Sequence, residues 1–106
     1  MRYRERRTRT FQAKLDGFFA QKRRAAESKI RLILSAPRTA CHSERLRWDF
    51  AGKRSARLDR RYRIIYTICE ECYQQGDQGS NLMDCLSCDN VSIETVTFLD
   101  ILDYHA

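Results

Sequence analysis

Between Gly52 and Ile68 the chain reads GKRSARLDRRYRIIYTI, two short alternating runs separated by Asp59–Arg60. Alternation with a period of two predicts strands, and so short a separation predicts a hairpin with arms over Arg54–Leu58 and Arg61–Cys69. A strand turns one face inward and the other to water. Six basic residues lie in this stretch: Lys53, Arg54, Arg57, Arg60, Arg61 and Arg63. The hairpin is therefore expected to aim a row of guanidiniums at one surface. Guanidinium forks match phosphate geometry, so such a surface is a candidate for nucleic acid.

The rest of the chain supplies helices and further strands. Arg2–Thr8 alternates weakly, as a short strand would, and Thr10 is placed to cap a helix carrying Phe11, Leu15, Phe18 and Phe19 at helical spacing. A second helical pattern runs from Gln21 to Ser35, with Ala26, Ile30, Ile33 and Leu34 on one face. Pro37 ends it, because proline disfavours the helical conformation at the residue before it. Arg38–Leu46 reads as a loop, Leu46, Trp48 and Phe50 alternate like a strand, Gly52 marks a turn, and Val91–Ile101 is β-branched and strand-like. The order predicts an α+β fold, two N-terminal helices packed on one face of an antiparallel sheet. A length of 106 residues suits one domain, residues 1–106.

All 20 Lys and Arg residues fall between Arg2 and Arg63, and the net charge is +6. That imbalance favours an anionic partner, the plain alternative being charge that serves solubility. No stretch is long and apolar enough to span a membrane, and MRYRERRTRTF is followed by no apolar leader core. The expected location is the cytoplasm, where thiols stay reduced.

Cys69, Cys72, Cys85 and Cys88 spell C-x2-C-x12-C-x2-C. Two thiolate pairs at this spacing can close a tetrahedron around Zn²⁺, with no position left for water, so the expected role is structural. On this reading residues 69–90 are an inserted, metal-bound hairpin. Disulfides and a rubredoxin-like iron site are the alternatives. Cys41 and His42 stand apart from this set.

Leu46–Ile68, LRWDFAGKRSARLDRRYRIIYTI, with a last strand ending in Asp103–Tyr104–His105, resembles the RelE superfamily of type II toxins, above all its YoeB and HigB branches. The shared features are a leucine-basic start, an Ala-Gly turn, S-x-R, Tyr-Arg followed by two apolar residues and a tyrosine, and a terminal aromatic–histidine pair. Residues 69–90 fall outside the likeness. The resemblance implies ribosome-dependent mRNA cleavage and a cognate antitoxin, with no small-molecule cofactor and no catalytic metal. It implies Glu44 as base, Arg63 and Arg57 as holders of the scissile phosphate, His105 as acid or base, and Tyr104 as a stacking or orienting residue. Lys53, Arg54, Arg60 and Arg61 are then grips on RNA phosphates. One departure stands out: YoeB-like toxins have tyrosine directly after that histidine, and here Ala106 follows. Two other readings fit the same residues: a ParE-like gyrase poison, and a non-catalytic nucleic-acid-binding module with a zinc ribbon.

Overall fold

The computed structural model describes residues 3–47, 51–74, 85 and 92–103. Strand β1 (Arg4–Arg7) leads into helices α1 (Arg9–Asp16) and α2 (Ala20–Ser35), then a single 3-10 turn at Ala40–His42. Strands β2 (Glu44–Arg45), β3 (Arg54–Arg57) and β4 (Tyr62–Ile68) follow, then helix α3 (Cys69–Gln74) and strand β5 (Thr95–Asp103). The sheet order is β1-β5-β4-β3-β2. It is mixed, because β1 runs parallel to β5 while the other pairs are antiparallel.

Helix α2 buries the stripe read from the sequence, Ala26, Ile30, Ile33 and Leu34. Together with Phe11 and Leu15 of α1 it covers Ala56, Ile64, Tyr66, Ile68, Val96, Phe98 and Ile101. The rings of Phe11 and Tyr66 lie 5.3 and 5.8 Å from that of Phe98. Phe98 and Ile101 are three apart, an odd step that would place them on opposite faces of a regular strand. A bulge resolves this: Ile65 pairs with Asp100 and Tyr66 with Phe98, so Leu99 is skipped. Beyond the bulge Leu102 stands opposite Arg63, on the face away from α1 and α2.

Several expectations are corrected. Thr8, not Thr10, caps α1: its hydroxyl accepts from the Phe11 N–H at 3.1 Å and donates to the Leu99 carbonyl at 2.7 Å, joining the helix start to β5. Gly17 ends α1, and Phe19 is left 88% exposed. The segment after Pro37 is not all loop, since Glu44 and Arg45 enter the sheet. Trp48 and Phe50 lie outside the described residues. Gly52 holds φ at 88°, a conformation glycine adopts without steric cost. The strand predicted over Val91–Ile101 is found over Thr95–Asp103. Cys69–Gln74 does not extend the hairpin; it forms a helix, with Glu70 and Glu71 in the first turn, where negative charge suits the helix dipole. Among the described residues no helix is long and apolar enough to cross a membrane.

Candidate active site

The turn after β3 is built by Asp59, whose carboxylate accepts from the N–H groups of Arg61 and Tyr62 at 2.8 Å each. Lys22 of α2 reaches the same carboxylate at 3.2 Å and lies 4.0 Å from the centre of the Tyr62 ring. This turn fixes the register of β3 against β4, and Arg57 pairs with Arg63. The two guanidiniums therefore arise from one face of the sheet, as the hairpin reading expected.

Arg63 is the better held of the two. Its Nε donates to Ser55 Oγ at 2.5 Å, and its Nη2 lies 3.4 Å from the His42 carbonyl and 3.5 Å from Glu44 Oε1. Glu44 reaches this place because it pairs with Ser55 at the sheet edge. Its side chain is 65% exposed, whereas that of Arg63 is 14% exposed. A solvated carboxylate thus stands beside an oriented cation, an arrangement suited to taking a proton next to a held phosphate. The sequence reading assigned no role to Ser55, though its parity with Arg57 placed it on this face.

The row of six cations divides. Arg54 is on the helix side, buried, with Nε and Nη2 donating to the two oxygens of Glu71 at 2.8 and 2.9 Å. Its guanidinium is taken up by that carboxylate, so the expectation that it grips RNA is corrected. The physical reason is parity: Arg54 and Arg57 are three apart, hence on opposite faces. Burial alone would push the Glu71 carboxyl up, but Arg54, aided by Arg45, outweighs it and holds Glu71 below the usual carboxylate range. Lys53 is half-buried and Arg60 exposed. Arg61 is exposed and donates to Asp103 at 2.7 Å.

Asp103 pairs with Tyr62, one register step past the Arg63–Leu102 pair. The described part of β5 thus ends beside the arginine face. His105, the acid–base histidine of the sequence reading, and its neighbour Tyr104 lie outside the described residues, as does Cys88.

Cys69 and Cys72 are buried on one turn of α3. Cys69 Sγ lies 4.0 Å from the Arg6 guanidinium, which also donates to Thr97 Oγ1 at 3.1 Å. Cys85 Sγ lies 4.0 Å from the hydroxyl of Thr67, the register partner of Thr97. Cys69 and Cys85 are thus both tied to the same row of the sheet. Among the described residues no group of three or more His, Cys, Asp or Glu is placed to hold a metal ion.

This architecture has counterparts among solved structures. The chain superposes on a YoeB/ParE toxin from Agrobacterium tumefaciens with a TM-score of 0.67 at 14% identity, over 95% of this chain and 98% of that one. The fold is that of the YoeB and RelE toxins. The RelBE2 toxin–antitoxin complex of Mycobacterium tuberculosis matches with a TM-score of 0.64 at 22% identity, over 97% and 99% of the two chains. The YoeB–YefM complex of Staphylococcus aureus matches with a TM-score of 0.64 at 14% identity, over the full length of both. No protein-family model matches the chain, and no curated protein matches its sequence.

Proposed function

We propose that this chain is the toxin of a type II toxin–antitoxin pair and cleaves mRNA on the ribosome. The observation that carries the reading is the contact of Glu44 with Arg63, beside Arg57, on one face of a YoeB-like sheet. Glu44 takes the proton from a ribose 2′-OH, and the oxygen forms a bond to the adjacent phosphorus. Arg63 and Arg57 hold the phosphate as charge builds on it. The P–O5′ bond breaks, and His105, a residue type that titrates near neutrality, gives the leaving oxygen its proton. The products are a 2′,3′-cyclic phosphate and a 5′-hydroxyl. Arg60, Arg61 and Lys53 contribute nonspecific phosphate contacts, and Tyr104 orients the substrate.

The cognate antitoxin lays an acidic or amphipathic segment over the basic face. Support comes from the toxin–antitoxin complexes among the structural neighbours and from the charge imbalance of this chain. The cysteine quartet holds a structural Zn²⁺, a reading supported by its C-x2-C-x12-C-x2-C spacing.

Incubating the purified chain with ribosomes on a defined message tests the activity. Fragments ending in 2′,3′-cyclic phosphate support it, and an intact message under conditions that arrest growth in cells contradicts it. A second reading, gyrase poisoning, draws on the Agrobacterium neighbour, which is named as a YoeB/ParE toxin. It expects DNA damage and full toxicity after Glu44→Gln.

A further inference from the structure

Glu71 lies between Cys69 and Cys72 on α3 and is 5% exposed. Its carboxylate gathers cations from three separate segments. Arg54 of β3 binds it with both arms of its fork, at 2.8 and 2.9 Å. Arg45 of β2 reaches Oε2 at 3.3 Å, and Arg38, from the segment after α2, reaches it at 3.4 Å. Arg54 in turn donates through Nη1 to Ser43 Oγ at 3.2 Å.

Ser43 and Arg45 are the two chain neighbours of Glu44. One is tied to Glu71 directly and the other through Arg54. The segment leading to Glu44 needs such ties, because Cys41 and His42 hold φ at 55° and 56°. Consecutive non-glycine residues in the left-handed region persist only where their surroundings impose it. Ser43 is anchored further by the Pro37 carbonyl at 3.1 Å and the Tyr66 hydroxyl at 2.6 Å. Glu44 itself is exposed, so its position follows from the backbone on either side.

We propose that Glu71 is a positioning residue for Glu44, so that α3, the helix bearing Cys69 and Cys72, sets the geometry of the arginine face. The inference rests on Glu44 being the base, and it deepens that reading by placing a control point on the far side of the sheet edge. Glu71 touches no substrate. It acts through Arg54, Ser43 and Arg45.

The test is an amide spectrum of ¹⁵N-labelled Glu71→Gln together with cleavage kinetics. The expected result is a joint shift of the His42, Ser43 and Glu44 amides and the Arg63 Nε–H. A fall in kcat by roughly 10- to 100-fold at little-changed KM is expected with it, the scale of a small misplacement of a reacting group. Glu71→Asp should lie between wild type and Glu71→Gln. Kinetics are read at a temperature where circular dichroism shows each protein folded. If Glu71→Gln fails to fold, the pair Glu71→Met with Arg54→Met leaves no unpaired charge at that ion pair and still cuts the link. Shifts confined to α3 and Arg54, with unchanged kcat, would overturn the proposal. If the wild type does not cut message at all, the nuclease reading falls, and the spectrum alone decides whether Glu71 positions Glu44.

Discussion

Arg57 and Arg63 stand directly opposite each other across β3 and β4, on the sheet face turned away from α1 and α2. Like charges in such a pair destabilise a sheet by up to about 1 kcal/mol. Glu44 meets Arg63 on its other flank, and Arg57 is exposed. A phosphate between the two cations would relieve the repulsion, so function and stability pull in opposite directions here. Arg57→Ala is expected to leave the melting temperature unchanged or slightly raised while weakening cleavage. Arg63→Ala is expected to cost cleavage on the order of 10²–10³-fold, the scale of removing one oriented charge-stabilising donor. Thermal melts and message-cleavage rates on the two variants check both.

Tyr66 is buried in the core, donates to the Pro37 carbonyl at 2.6 Å and meets Ser43 Oγ at 2.6 Å. Burial pushes its phenol up to about 12 from an ordinary 10.0. A group whose folded value is raised adds stability that is fully present below its unfolded value and is lost as pH rises through the folded one. Denaturation from pH 9 to 12 should therefore show stability falling across the window from about 10 to 12, and Tyr66→Phe should flatten that part of the fall. Below pH 9 the same variant should cost about 1–2 kcal/mol, from the lost hydroxyl contacts.

Asp59 acts at the opposite end of the pH range. Burial alone would raise its carboxyl, but the Tyr62 and Arg61 N–H groups and Lys22 outweigh it, leaving it below the ordinary 3.8. Its contribution is present above the unfolded value and lost as pH falls through the lower folded one. Asp59→Asn should remove that acid dependence while keeping an acceptor for the turn. Asp59→Ala should cost about 1–2 kcal/mol at neutral pH, from the lost turn hydrogen bonds. Urea titrations at pH 7 and pH 3 distinguish the two variants.

Much of this was legible in local pattern. The stripe Ala26, Ile30, Ile33 and Leu34 is a helical face whichever fold it joins, and Asp59–Arg60 left so little chain that β3 and β4 had to pair with Arg57 near Arg63. What escaped depends on partners distant in sequence. The weak alternation over Arg2–Thr8 did announce β1, but not its place in the sheet, parallel beside β5 more than 90 residues later, where Arg4 meets Thr95. Thr8 displaces Thr10 as a cap because its hydroxyl also reaches Leu99. The burial of Arg54 requires Glu71, which follows it by 17 residues and belongs to a helix the C-x-x-C spacing did not announce. The strand parity of Arg54 against Arg57 was a local signal for the same conclusion. Glu44 sits in a strand of only 2 residues, too short for periodicity to register.

The cysteines offer a separate check. Metal analysis of protein purified without added chelator is expected to find about one zinc per chain, the stoichiometry of a four-thiolate site. Cys72→Ser and Cys88→Ser should each lower the metal content and the melting temperature. Retention of full stability by a metal-free wild type would remove zinc from the account.

The most direct test of the central claim is primer extension on a translated message after induction of wild type, Glu44→Gln, Arg63→Ala and His105→Ala. Discrete cuts with the wild type, strongly reduced in all three variants along with growth arrest, are the expected result. Equal growth arrest by all four proteins with no cuts in the message would contradict it.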